Sequence, residues 1–294
     1  HSPVTVADFA AQAVVAGALE NAFPQDPLIA EESAAALRHP EQRQRLEQIL
    51  QFVRRLLPQA EAESVCAWID RGAGDSASRT WVLDPIDGTK GFLRRGQYAV
   101  ALALLVDGQV QIGALGCPNL RQGRVEDFHG AGSLVLGVRG KGSWVSTLSD
   151  GDDRFEPLHV SDCDQPVQAR LLRSYESGHT NIAQIEALIA HLGIQAAPVL
   201  LDSQAKYAIL AAGGGEASLR LLPSDQPGYR EKIWDQAAGA LIVEEAGGRI
   251  TDMYGKPFDY TAGRMLTANR GVLATNGRLH PAFLQALVAV GAAA

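Results

Sequence analysis

Cysteine is scarce in this 294-residue chain: Cys66, Cys117 and Cys163 lie far apart and are odd in number. That excludes a disulfide framework and a cysteine-based metal site. It fits a reducing compartment, and the expected location is the cytoplasm, or an organelle after loss of a targeting segment. Long apolar runs are also missing. None approaches the roughly 18 residues of a membrane span, so no membrane partner is expected, and residues 1–8 lack the basic flank and apolar core of a signal peptide. Positive charge is in deficit, with 26 Lys and Arg against 33 Asp and Glu and a formal net charge of −7. A broad surface for nucleic-acid phosphates is thereby excluded. Small anions can still bind where metal ions or local basic residues supply the charge.

What is present is ordinary for a globular protein, with 46% hydrophobic and 20% charged residues and a length that suits one large domain or two. The first third has helical texture. Residues 9–21 are rich in Ala and Val, with Asp8 placed to cap or precede the first turn. Leu28-Ile29-Ala30 is a short apolar strand that ends at Glu31-Glu32, and residues 40–57 space Leu46, Ile49, Leu50, Val53 and Leu57 as a helix does. From Thr80 the pattern turns to strands: Trp81-Val82-Leu83 stopping at Asp84-Pro85, then 98–106 and 110–115 joined by the hairpin pair Asp107-Gly108, then 134–136 and 142–145. Residues 146–153 read as a surface loop. Beyond a boundary near Asp164, strands at 171–172, 198–200 and 217–222 alternate with helices at 182–192, 204–212 and 235–246. The Ala-rich end is a helix or a frayed tail. An α/β unit following an α+β unit is the expected class.

The stretch with chemical content is Asp84-Pro85-Ile86-Asp87-Gly88-Thr89-Lys90-Gly91-Phe92. Two carboxylates three positions apart follow a strand; Pro85 forces a bend and Gly88 permits close backbone approach. Hard oxygens so placed suit Mg²⁺, and amides of Gly88 and Thr89 opening a helix would face an anion. The same Asp-x-x-Asp also suits a capped turn in which both carboxylates bond to backbone.

This stretch resembles the signature of the Li⁺-sensitive, Mg²⁺-dependent phosphatases, the inositol monophosphatase-like family that includes inositol polyphosphate 1-phosphatases and bisphosphate nucleotidases. Two further family markers occur in order, Glu31-Glu32-Ser33 and Trp234-Asp235-Gln236-Ala237-Ala238-Gly239. The resemblance implies a layered αβαβα sugar-phosphatase fold and two or three Mg²⁺ ions. Asp84 would bridge two of them, with Glu31 and the Ile86 carbonyl completing the first site and Asp87 and Asp235 holding the second. Asp8 and Thr89 would orient and activate the attacking water. Lys90 either neutralises phosphate charge or is a solvated surface group.

Within the family the Thr89-Lys90-Gly91-Phe92 form, Leu201-Asp202-Ser203-Gln204-Ala205-Lys206-Tyr207 and Glu231-Lys232-Ile233-Trp234-Asp235 resemble the bisphosphate nucleotidases. That implies removal of the 3'-phosphate of adenosine 3',5'-bisphosphate (PAP), and of its sulfated form PAPS, to leave AMP or its sulfated counterpart, a reaction of sulfur metabolism. Gly88, Thr89 and Asp235 would also touch the substrate. Ser203 and Lys206, one helical turn apart, would hold the retained phosphate or the sugar, and Arg220 would pair with the remaining phosphate in the planar manner open to arginine. His179 would flank the adenine and Tyr207 border it. A lone loop His is also an ordinary surface residue, and Arg220 could instead pair with a structural carboxylate. The pair Arg94-Arg95 either steers the anion or forms a solvated turn. In this scheme residues 1–164 carry most metal ligands, and residues 165–294 carry the nucleotide contacts and the last acidic ligand. A monomer or weak dimer is expected. The alternatives are an inositol or sugar bisphosphatase of the same fold, and a silent sensor of the nucleotide, which would be expected to lack one of the acids. The sequence departs from the family in three places: no helical segment precedes Ser2-Pro3-Val4-Thr5, Ala30 stands where Gly is common, and Gln236 where His is usual.

Overall fold

The computed structural model describes residues 4–149, 154–175, 180–222, 226 and 228–293. Helix α1 (Val6–Ala22) is capped by Thr5, whose Oγ1 accepts from the Ala7 N–H at 3.1 Å. Asp8 is therefore not the cap. It sits in the first turn and closes a capping box, accepting from the Thr5 N–H (2.8 Å) and hydroxyl (2.6 Å). Strand β1 (Leu28–Ala30) follows as expected, then two 3₁₀ turns lead into α2 (Arg43–Val53). That helix is shorter at both ends than its apolar spacing suggested. Helix α3 (Ala62–Asp70) was not anticipated; its nine residues bury Val65, Cys66 and Ile69.

Strand β2 (Arg79–Asp87) does not stop at Asp84 but runs on to Asp87. Its ladder with β3 (Ala99–Val106) shifts register between Asp84 and Asp87, where Pro85 has no N–H to offer a partner. The five-residue helix α4 (Thr89–Leu93) follows directly. Strand β3 turns into β4 (Gln109–Cys117) through Asp107 and Gly108, both with positive φ, as a two-residue hairpin requires. The short ribbon β5 (Leu120–Arg121) and β6 (Val125–Glu126) precedes β7 (Ser133–Val138), β8 (Gly142–Thr147) and β9 (Glu156–Pro157). The first sheet has the order β1-β2-β3-β4-β7-β8-β9, with β1 and β2 parallel and the other pairs antiparallel.

The rest of the chain forms β10 (Leu171–Arg173), α5 (Ile182–Leu192), β11 (Val199–Leu200), α6 (Ala205–Ala211), β12 (Ala217–Arg220), α7 (Ala237–Glu245), β13 (Arg249–Thr251), β14 (Val272–Thr275) and α8 (His280–Ala289). Its sheet runs β11-β10-β12-β14-β13, parallel across the first three strands and antiparallel across the last two pairings. Strand β3 shows how the layers are built. Val100, Leu102 and Leu104 face the cluster that includes Ala16 and Leu19 of α1, whereas Ala99, Ala101, Ala103 and Leu105 join the core around α6 and α7. The second sheet in turn packs Leu171, Ala217 and Leu273 against Ile185, Leu188, Phe283 and Leu287 of α5 and α8. Helices, sheet, helices, sheet, helices: this is the αβαβα layering expected. The Ala-rich end is helical to Ala289, and Ala292 is still buried.

Helix α7 comes close enough to the first sheet to need glycine there. Gly113 on β4 and Gly137 on β7 are register partners. A Cβ on Gly113 would stand 2.5 Å from the Ala238 carbonyl oxygen, and one on Gly137 would stand 3.0 Å from the Ile242 Cα. The pair makes a trough in which the helix lies.

Candidate active site

The edges of three layers meet at the end of β2. Thr89 opens α4 with its hydroxyl 3.1 Å from the Ile86 carbonyl and 3.3 Å from Asp8 Oδ1, so the first turns of α1 and α4 face each other. Asp8 and Thr89 are both buried. Asp84 Oδ1 accepts from the Ile86 N–H at 3.1 Å, and Asp87 Oδ2 accepts from the Gln204 N–H at 2.5 Å. The capped-turn reading is thus true as far as it goes: each carboxylate spends one oxygen on backbone, which leaves each a second.

The electrostatics exceed what a capped turn needs. Burial, then the neighbouring charges of Asp235, Glu32, Asp87 and Asp8, push Glu31 up to about 8. Burial first, then Asp87, Glu31, Asp235 and Asp8, raises Asp84 well above the usual carboxylate range. Asp235 is pushed up to about 7 by burial and by Asp87, with Arg220 pulling the other way. Burial raises Asp87 too, against the pull of Lys206 and the Gln204 amide. Four acids drawn from β1, β2 and the entry to α7 therefore share one field. All the donors, with the Ile86 carbonyl, are hard oxygens, and their mutual repulsion is what a hard divalent cation would relieve. The residues fit such a group in the chemistry of their donors. Among the described residues, no three acidic, imidazole or thiol side chains converge at ligand distances.

Across from the acids lies a cationic side. Gly88 has φ +85°, and a Cβ there would lie 2.8 Å from that of Ser203, so only glycine lets the two loops touch. Ser203 itself takes φ +67° and accepts from the Ala205 N–H at 3.1 Å. Lys206 sits among Asp87, Asp202 and Arg220; burial lowers its pKa and the two acids oppose that. Arg220 does pair with a carboxylate, Glu231 Oε2 at 3.0 Å, and its other terminal nitrogen donates to the Tyr229 hydroxyl at 2.7 Å. It nonetheless bears on Asp87, Asp235 and Lys206.

One expectation is corrected. Tyr207 is in the core, with its hydroxyl on Gln236 Oε1 at 2.6 Å, and does not line an open face. Arg94 lies with Arg95 in an exposed turn, one of the two readings given for the pair, and it also ion-pairs with Asp202, whose other oxygen accepts from Ser174 at 2.8 Å. Lys90 is exposed on α4. His179 lies outside the described residues. Sequence reasoning passed over Gln12, fully buried, which holds the backbone of Glu32 through both carbonyl (2.8 Å) and amide (3.0 Å) and so fixes the turn bearing Glu31. A lone Gln in an Ala-rich helix was the only signal for it. Glu32, pushed up to about 7 by burial and Asp8, also belongs to the acidic field.

Residues 1–292 match the model of the inositol monophosphatase family. A 3'(2'),5'-bisphosphate nucleotidase of Schizosaccharomyces pombe is 39% identical over 98% of this chain and 84% of its own length. One from Emericella nidulans is 43% identical over 93% of this chain and 84% of its own. Among solved structures, an inositol monophosphatase/NADP phosphatase complexed with Mg²⁺ and phosphate has a TM-score of 0.62 at 18% identity, covering 97% of this chain and 81% of that one. Dependence on a divalent metal follows from the family and agrees with the acidic field. On the match across nearly its whole length and on relatives at about 40% identity, the chain belongs to the inositol monophosphatase family.

Proposed function

We propose that this chain is a Mg²⁺-dependent 3'(2'),5'-bisphosphate nucleotidase that hydrolyses the 3'-phosphate of PAP, and of PAPS, releasing inorganic phosphate and leaving AMP or its sulfated counterpart. The observation that carries it is the seam at Asp87: an acidic half made of Glu31, Asp84, Asp87 and Asp235 abuts a cationic half containing Lys206 and Arg220, joined by the Asp87–Gln204 hydrogen bond. A monophosphatase needs only the first half, and a substrate with two phosphates uses both. Relatives bearing this nucleotidase name support the assignment.

In this reading residues 1–164 hold two or three Mg²⁺ ions through Glu31, Asp84, the Ile86 carbonyl and Asp87, and residues 165–294 add Asp235 and the nucleotide contacts. The bound ions supply charge neutralisation for the transferred phosphoryl group and acidify water. Thr89 and Asp8 handle the proton: Oγ1 of Thr89 gives its hydrogen to Asp8 Oδ1, 3.3 Å away, and accepts one from the attacking water. The water oxygen bonds to phosphorus as the phosphorus–O3' bond breaks; O3' takes a proton from solvent water and Asp8 returns its own to solvent, so one water is consumed overall. Amides of Gly88 and Thr89 face the phosphate, Ser203 and Lys206 hold the sugar or the retained phosphate, and Arg220 binds the latter. Phosphate release from PAP and from inositol 1-phosphate, each with Mg²⁺ and with chelator, tests this. Mg²⁺-dependent release from PAP with little from inositol 1-phosphate is expected. Release from inositol 1-phosphate alone overturns the nucleotide assignment, and release from neither, in folded protein, makes the chain a binding protein.

A further inference from the structure

Burying a carboxylate costs several kcal/mol unless it is paired, so a buried acid that is not needed as a metal ligand requires a reason. Glu231 is 2% exposed, four residues before Asp235. Its Oε2 takes Arg220 at 3.0 Å and the Gln236 side-chain amide at 3.3 Å, and Gln236 is held in turn by the Tyr207 hydroxyl at 2.6 Å. Its carbonyl accepts from the Leu266 N–H at 2.9 Å, which pins the backbone. Tyr229 lies two residues earlier in the same segment. Its hydroxyl takes the second terminal nitrogen of Arg220 at 2.7 Å. The guanidinium is thus gripped at both tips by one short segment. Arg220 Nε and Glu231 Oε1 are buried and have no hydrogen-bond partner among the described residues, so the grip is one bond from each residue, short of a bidentate fork.

We infer that Glu231 is a positioning residue for the retained phosphate: it holds the Arg220 guanidinium at the cationic half of the site and thereby makes the pocket prefer a bisphosphate over a monophosphate. This rests on the bisphosphate reading above. Glu231 does not touch the reacting phosphate and is not catalytic. Removing its charge without changing its shape replaces the ion pair with a weaker bond to a neutral amide oxygen, and the guanidinium then has to be ordered in part by the substrate itself.

The test compares wild type, Glu231→Gln and Glu231→Asp on PAP and on adenosine 3'-monophosphate, which has the same base and leaving oxygen but no second phosphate. Inhibition constants for AMP and adenosine are measured alongside, so that binding is read even if the monophosphate turns over slowly. For E231Q the expected result is a KM for PAP about tenfold higher with kcat within threefold, an AMP inhibition constant weakened about as much, and adenosine and monophosphate constants within twofold. E231D should recover part of the loss. Unchanged constants for PAP and AMP, a parallel loss on both substrates, or tighter binding of PAP would each overturn the inference. Thermal melting of each variant separates misfolding from misplacement, and E231D carries the test should E231Q fail to fold. Wild-type enzyme that ignores PAP sinks the functional proposal itself, a result distinct from any of these.

Discussion

The acidic field makes a stability prediction whose sign differs with and without metal. Glu31 rises from its ordinary 4.5 to about 8 in the folded chain, so the folded state binds this proton more tightly than the unfolded state does. The stability it contributes is fully present below pH 4.5 and is lost as the pH rises through about 8. That gap corresponds to about 5 kcal/mol for an isolated group. Because the repulsion is shared with Asp235 and Asp87, removing one member should return roughly 2–5 kcal/mol. Urea unfolding of metal-free wild type and Glu31→Gln at pH 5 and pH 9 reads this directly. The variant should be the more stable at pH 9 by about 2 kcal/mol or more and no more stable at pH 5, where the wild-type carboxyl already carries its proton. Mg²⁺ at a ten-thousandfold excess over Kd at pH 8 should reverse the order, since such binding adds about 5.5 kcal/mol to a site that is intact. Superimposable pH dependences for the two metal-free proteins would refute the shared field, whatever their activities.

Other perturbations test other parts. His280 is fully buried between the Thr251 and Thr275 hydroxyls (2.9 and 3.0 Å), and burial lowers it from 6.5 to about 4; its contribution is present above pH 6.5 and lost as the pH falls through 4, worth about 3 kcal/mol. A His280→Gln variant should therefore lose less stability than wild type between pH 7 and pH 4, as followed by circular dichroism. Thr89→Val should lower kcat by about 10²–10³ with little change in Tm, and Thr89→Ser should restore most of it; equal kcat in all three enzymes excludes a proton role. Gly88→Ala, strained by its positive φ and by Ser203, should cost about 1–3 kcal/mol in stability and raise the KM for PAP. Gly113→Ala should cost a similar amount in chemical denaturation and weaken Mg²⁺ activation, because it displaces the helix that follows Asp235.

Much of this was legible because it is local. Three short motifs carry the acids, and a motif read along the chain survives folding: Asp84, Asp87 and Thr89 are held within one strand end and one helical turn. The hairpin at Asp107-Gly108 was legible for the same reason, since only a narrow set of residues takes two consecutive positive φ values. What stayed hidden depends on partners far away. Strand β14 is four residues long, and only its pairing with β12 and β13 makes it a strand. Tyr207 looked like a ligand contact because it follows Lys206 in a matched segment, but a helix turns neighbours to different sides and this one faces Gln236. Arg94 finds Asp202, 108 residues away, and nothing near either residue announces the pair.

The same fields explain why the scaffold around the site is so tightly packed. A cluster of acids that must stay close for a cation repels itself when the cation is absent, so each ligand needs an anchor that does not depend on it. Glu31 has Gln12 holding the next residue, Asp84 and Asp87 have backbone amides, and Asp8 has its capping box with Thr5. Among the described residues no amide bonds the Asp235 carboxylate; its position comes from α7, whose first turn begins two residues later and whose axis is set by Gly113 and Gly137. The glycine trough does for Asp235 what hydrogen bonds do for the others. It also ties Asp235 to the first sheet although the residue itself enters from the far side of the chain, so a change in packing more than one helical turn away reaches the site as a displacement of its last acid.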